Sequence, residues 1–202
     1  MKACLDLHDF SVVNNRLLWL LTLKKQFPNF KVSLFTVPVD SPADWGPYTI
    51  RTTFLEELKK NLDWIQIIPH GLTHDKSECK SKSVPAFKKM LEDIDKEFKK
   101  DGLPYEKGFC APHWRWSKGV VEVLDELGWW GAVDRRQPEM LCPKKFYQYS
   151  YCLDEELPYD EDLKLHGHIF GTPNDLGKNF DKIMGLPSDT EWHFVTDFLE
   201  II

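Results

Sequence analysis

Short apolar runs alternate with amphipathic stretches along nearly the whole chain, and the polar, reactive side chains fall just after the apolar runs. Residues 2–8 read as a first strand. Residues 15–27, rich in Leu, read as an amphipathic helix stopped by Pro28. Residues 31–37 alternate like a strand, and a loop with three prolines follows from Pro38 to Pro47. Thr53 with Glu56 forms a capping box for a short helix to Asn61, and residues 64–69 give a third strand. Ser83 and Pro85 open a helix whose Phe87, Leu91, Ile94 and Phe98 recur at helical spacing and which Gly102 ends. Residues 107–111 form a short strand. Ser117 caps a helix with Val121, Leu124 and Leu127 on one face, closed by Gly128. Strands are expected at 129–133, 145–152 and 163–169, a short helix from Leu176 to Met184, and a strand or helix over 192–200. Such alternation favours a parallel sheet covered by helices. The fold class is therefore α/β, with a distorted or incomplete (β/α) barrel of about seven mostly parallel strands. A doubly wound sheet is the alternative. With no repeat or linker, residues 1–202 read as a single domain.

The bulk properties narrow the function. The chain has 202 residues, enough to bury a sizeable core, and a net charge of -6, which argues against nucleic acid because phosphate binding wants a basic surface. No run reaches the length of a membrane helix. The N-terminus enters an apolar strand within a few residues and lacks a signal peptide's apolar stretch and cleavage site. Cys4, Cys79, Cys110, Cys142 and Cys152 form no Cys-x-x-Cys pair, so they read as free, mostly buried thiols in a reducing compartment. A cytoplasmic protein is the expectation. Eight Trp and thirteen Phe imply a large aromatic core, with a minority of Trp beside polar motifs available to stack on sugars.

Alternating α/β folds place their sites at the C-terminal ends of the strands. Asp6, His8 and Asp9 close the first strand, and His70 closes the third with His74 in its loop. Residues 111–116 follow the fourth, Asp134-Arg135-Arg136 the fifth, and His166 and His168 lie in a late strand. His70 and His74 have the spacing of one helical turn, and Gly71 permits a sharp exit from the strand. Two imidazoles and a carboxylate, Asp9 being the best candidate, suit zinc or another divalent first-row metal. The alternative is that these His are loop residues bonded to backbone.

These segments resemble the polysaccharide deacetylase family, the NodB-homology domain of carbohydrate esterase family four, in the right order over nearly the whole chain. Asp6-Leu7-His8-Asp9 stands where the family has a strand ending in two acidic residues, the second a metal ligand. His70-Gly71-Leu72-Thr73-His74 matches its His-Ser/Gly-x-x-His motif, the most specific of the set. Phe109-Cys110-Ala111-Pro112 loosely matches its Arg-x-Pro motif, and Leu163-Lys164-Leu165-His166 its final strand ending in His. The resemblance implies a metal-dependent hydrolase that removes an acetyl group from an N-acetylated sugar or related amide. Asp9, His70 and His74 would hold the metal, most simply Zn2+, with Co2+, Ni2+ and Fe2+ also suited. His8 or Asp6 would be the base, a backbone N–H near Ala111 to His113 would face the oxyanion, and His166 would protonate the leaving nitrogen. Pro112, His113, Trp114, Trp116 and His168 would line the groove. Two departures stand out. His8 occupies the place of the family's base carboxylate, and Cys110 that of the Arg which orients it, a charge that Arg115 or Arg135 could replace. They keep two other readings open: a carbohydrate-binding or scaffold protein that has lost catalysis, and a metal amidohydrolase of another substrate.

Overall fold

The computed structural model describes residues 1–39, 48–158 and 161–202. Its elements are β1 (Lys2–Phe10), α1 (Leu17–Gln26), β2 (Val32–Thr36), α2 (Tyr48–Lys59), β3 (Ile65–Pro69), α3 (Val84–Asp101), β4 (Gly108–Cys110), α4 (Lys118–Leu127), β5 (Trp130–Val133), β6 (Lys145–Gln148), β7 (Tyr151–Cys152), β8 (Leu163–His168), α5 (Phe180–Met184), β9 (Glu191–His193) and β10 (Glu200–Ile201). No described helix is long and apolar enough to cross a membrane.

Two sheets share the work of one barrel wall. The first has the order β3-β2-β1-β8-β7, all parallel, with β9 parallel to the start of β1. The second sets β4, β5 and β6 parallel, and β10 antiparallel to β6. β3 packs beside β4, and the chain passes from β6 to β7 through Tyr149 and Ser150. The strands thus follow one another round an incomplete (β/α) barrel whose wall is interrupted in its hydrogen bonding, as the alternation predicts.

Several boundaries differ from the sequence expectation. The strand expected over 145–152 is two strands in different sheets. Ser150 N–H donates to the Lys164 carbonyl at 2.8 Å, which carries the chain across to β8. α2 begins at Tyr48, so Thr53 and Glu56 sit inside the helix and cannot cap it. The helix expected at 176–184 shrinks to Phe180–Met184, because residues 174–176 fold back on the end of β8. Residues 192–200 hold β9 and a 3-10 turn at Val195–Phe198. Ser83, Gly102 and Gly128 bound α3 and α4 as read, both glycines in the left-handed region that a C-terminal turn requires, while Ser117 precedes α4 without capping it, its hydroxyl donating to the Lys82 carbonyl at 3.1 Å. The buried face of α4 is Val120, Val123 and Leu124, leaving Leu127 exposed at the helix end. The proline loop lies largely outside the described residues.

Strand alternation splits the core in two. Ala3, Leu5 and Leu7 of β1 belong to the outer core, which also holds Leu20, Phe87, Ile94 and Val120 of the surrounding helices. The inward residues of the barrel make a smaller cluster that includes Cys4, Phe35, Ile68, Cys110, Trp130 and Tyr147. Trp130 fills this interior where Gly108 has no side chain; a Cβ there would lie 2.2 Å from the indole. All five cysteines are free, three of them buried, as expected.

Candidate active site

The inward row of β1 runs Cys4, Asp6, His8, and above the apolar floor it turns polar. Parallel pairing with β8 sets Asp6 beside His166 and His8 beside His168 in register. All four side chains therefore share the barrel interior. A regular strand would send Asp9 to the opposite face from His8. Instead the β1–β2 register shifts between Leu7 and Phe10, and Asp9 adopts a left-handed φ of 60°. This bulge turns Asp9 toward the same interior.

Asp9 meets both histidines of the third strand's exit. Its Oδ1 lies 2.9 Å from His74 Nε2 and 3.3 Å from His70 Nε2. His70 and His74 are not on a helical turn. They are joined by a loop that leaves β3 through Gly71, at φ 72°, and reaches His74 at φ 62°. Glu78 pins this loop, with Oε1 accepting the backbone N–H of Leu72 and Thr73, each at 3.0 Å. A Cβ on Gly71 would sit 2.2 Å from Glu78 Oε2 and 2.5 Å from Pro112. His113 and Trp114, in the turn after β4, are also left-handed, at 54° and 56°. Four non-glycine residues in a region that costs about 1–2 kcal/mol each thus cluster round one cavity, which marks a site under functional constraint.

That cavity measures about 300 Å³ and is lined by His8, Asp9, His70, His74, His113, Trp114, His168 and Thr172. A larger hollow of about 640 Å³ beside α1 and α2 is lined mainly by apolar groups such as Leu17, Trp19 and Phe54. The reactive side chains are in the smaller one.

A cation fits at Asp9. His70 Nδ1 lies 3.1 Å from the Cys110 carbonyl, which can only accept, so Nδ1 carries the proton and Nε2 turns a lone pair on Asp9. Asp9 Oδ1 is buried without a hydrogen-bond partner. Leaving such an atom unpaired costs about 1–3 kcal/mol. Asp9, His70 and His74 offer ligand atoms within 4.8 Å of one another, a donor set suited to a divalent first-row metal.

Behind these groups lies a second polar set. His166 Nδ1–H donates to Asp6 Oδ1 at 2.6 Å, and His8 Nε2 is 3.3 Å from the same oxygen. Burial raises the Asp6 carboxyl, while His166 and His8 outweigh it and keep Asp6 ionised. Burial drives the His8 imidazole well below its ordinary value, so it is neutral at pH 7. His8 is packed between Phe35 and Trp114, with ring centroids at 4.4 and 5.0 Å. Tyr149 stacks on His166 at 4.5 Å and donates its hydroxyl to Asp134 at 2.7 Å.

Asp6 and His166 are 1% and 2% exposed and do not line the cavity, whereas His168 does. His168 Nδ1–H donates to Asn174 Oδ1 at 2.9 Å, and the Thr172 hydroxyl donates to the same oxygen at 2.6 Å. Trp116 is buried in the core against Phe109 and Gly131, not at the rim. Arg135 is paired with Glu155 and lies over the Tyr149 ring, and neither it nor Arg115 lines the cavity. Asp134 is likewise outside it. Sequence reasoning missed Phe35, Glu78, Tyr149 and Asn174. Only Asn174 carried a local signal, the turn-forming run Gly171-Thr172-Pro173-Asn174-Asp175 just past a histidine strand.

No protein-family model matches the sequence, and none of the curated proteins does. Solved structures do. The chain superposes on the chitin deacetylase of the fungal pathogen Colletotrichum lindemuthianum with a TM-score of 0.60 at 13% identity, over 97% of this chain and 86% of that one. It superposes on a family 4 acetyl xylan esterase from Clostridium thermocellum, in complex with a cobalt ion, with a TM-score of 0.58 at 12% identity, over 98% and 89%. A CE4 family pseudoenzyme from Bacillus anthracis gives 0.57 at 14% identity, over 97% and 64%. The chain has the polysaccharide deacetylase fold, that of carbohydrate esterase family four.

Proposed function

We propose that the chain is a metal-dependent deacetylase that removes an acetyl group from an N-acetylated sugar or a related amide. The observation that carries this reading is Asp9 Oδ1, buried and unpartnered between two imidazole nitrogens. Asp9, His70 and His74 would hold the divalent cation, with Zn2+, Co2+, Ni2+ and Fe2+ all suited to the set. A bound cation supplies Lewis acidity, polarising an acyl carbonyl and making water a better nucleophile at neutral pH. The Cys110 carbonyl fixes the His70 tautomer that frees Nε2 for ligation. His8, neutral and on the cavity wall, takes the proton from the attacking water. Asp6 Oδ1, 3.3 Å from His8 Nε2, and Cys110 Sγ, 4.0 Å from His8 Nδ1, hold the ring in place. Pro112 has no N–H, so the backbone donors available to an oxyanion in that turn are those of Ala111 and His113. Trp114 and Thr172 flank the substrate.

The test is acetate release from chitooligosaccharides by protein supplied with each of the four metals, with and without chelator. Activity that the chelator abolishes supports the reading. A second reading, a carbohydrate-binding protein without catalysis, draws on His8 and Cys110 standing where the family has a carboxylate and an arginine. It also draws on the Bacillus anthracis pseudoenzyme of the same fold, a mutant of which has restored enzymatic activity. Sugar binding without acetate release under every metal would favour it over the first.

A further inference from the structure

The structure offers two histidines at the end of β8 for the proton that the leaving nitrogen needs. We infer that His168 is the residue that donates it, and that His166 is a positioning residue that acts through Asp6. The inference rests on the deacetylase reading above.

Geometry separates the two rings. His166 is 2% exposed and closed in by His8, Tyr149 and Trp114, at centroid distances of 4.6, 4.5 and 5.4 Å. Its Nδ1 proton is committed to Asp6 Oδ1 at 2.6 Å, and it is not among the cavity-lining residues. What it does there is hold a buried carboxylate ionised and fixed under His8. His168 is half-buried and lines the cavity together with His8, Asp9 and His70. Its Nδ1 is anchored by Asn174 Oδ1, which the Thr172 hydroxyl orients, and the backbone of the same segment bonds His168 on both sides: His168 N–H donates to the Asn174 carbonyl at 3.3 Å and Leu176 N–H to the His168 carbonyl at 2.8 Å. With Nδ1 engaged, Nε2 is the nitrogen left for exchange with substrate. A histidine whose far nitrogen is fixed by an oriented acceptor, and whose ring borders the reacting space, meets the geometric requirement for a general acid.

The protons balance between two residues. Water loses one proton to His8 and its oxygen bonds to the acyl carbon. His168 starts neutral with its proton on Nδ1; the proton taken by His8 passes to His168 Nε2, which gives it to the amide nitrogen as the C–N bond breaks, releasing the amine and acetic acid, which ionises into solvent. Both rings end neutral, as they began. The two ring centroids are 5.6 Å apart.

The test compares two leaving groups. An N-acetylated chitooligosaccharide expels an amine that must be protonated, whereas 4-nitrophenyl acetate expels a phenolate that need not be. His168→Gln should lower the amide rate by about 100-fold or more and the ester rate far less. His168→Asn should do the same, and Asn174→Ala should shift the ratio in the same direction by a smaller factor. His166→Gln should lower both rates together. Full metal content and an unchanged circular dichroism spectrum identify variants that have folded. Equal loss on both substrates in folded His168→Gln, or selective amide loss in His166→Gln, would overturn the assignment of the acid while leaving the deacetylase reading intact. A wild-type protein that releases acetate from neither substrate under any metal would remove that reading and this inference with it.

Discussion

The barrel interior has a lower and an upper layer, with Cys4 two residues before Asp6 on β1, and they satisfy themselves differently. In the lower layer Trp130 fills the gap over Gly108, and Cys4 Sγ sits 3.6 Å from the Tyr147 hydroxyl. Volume and shape close that layer from within the chain, and the polar atom it leaves buried without a partner is the neutral indole N–H of Trp130. In the upper layer Asp6 Oδ2, His8 Nε2 and Asp9 Oδ1 are all buried without a hydrogen-bond partner. A folded protein tolerates few such atoms. The contrast is one of kind: the lower layer leaves a neutral indole N–H unpaired, whereas the upper layer leaves carboxylate and imidazole atoms, the groups that can ligate a cation.

Substitutions in the two layers should therefore fail in different ways. The largest effect belongs to His74→Ala, which removes a ligand from a cluster that needs three. Bound metal should vanish on elemental analysis and acetate release should fall at least about 1,000-fold, with little change in the melting temperature of the metal-free protein. His8→Gln should keep the metal and lose about 100- to 10,000-fold in rate, read from steady-state kinetics. In the lower layer Trp130→Ala should cost about 3–5 kcal/mol of stability by denaturant unfolding, and the molecules that remain folded should still bind metal. Gly71→Ala falls between the layers. It strains the loop that presents both histidines, and metal affinity should drop about 10- to 100-fold in a competition titration.

The smallest effect is on pH dependence without metal. His8 and His168 are held below the free imidazole value by burial. The unfolded chain therefore binds their protons first, and stability falls as pH drops below about 6.5. Asp6 is held below the usual carboxylate value, so its contribution is present above about pH 4 and fades below it. The melting temperature should decline from pH 6.5 downward in both windows, by about 2–4 °C for each kcal/mol lost. His8→Phe should remove the His8 share of the upper window and leave that of His168.

How much of this was legible in the sequence follows from which signals are local. The period of two on β1 places Asp6 and His8 together, and the His70-Gly71-x-x-His74 spacing brings its two rings to one point even though the geometry is a loop and not a helix. The turn of Asp9 into the same cavity depends on a bulge, which nothing in the run Asp6-Leu7-His8-Asp9 announces. The break after Gln148 depends on the Ser150 hydrogen bond to Lys164, so that boundary is not written in its own segment. His166 and His168 have the same spacing rule and the same residue type. Only the neighbours brought by the fold, Asp6 for one and Asn174 for the other, tell their environments apart.

The upper layer's claim is tested most directly by zinc titration of metal-free protein, comparing wild type with Asp9→Asn by calorimetry. The account predicts about one equivalent bound tightly at Asp9, His70 and His74 in the wild type, and loss of that binding when the carboxylate becomes an amide. A variant that binds zinc with the stoichiometry and affinity of the wild type would contradict it.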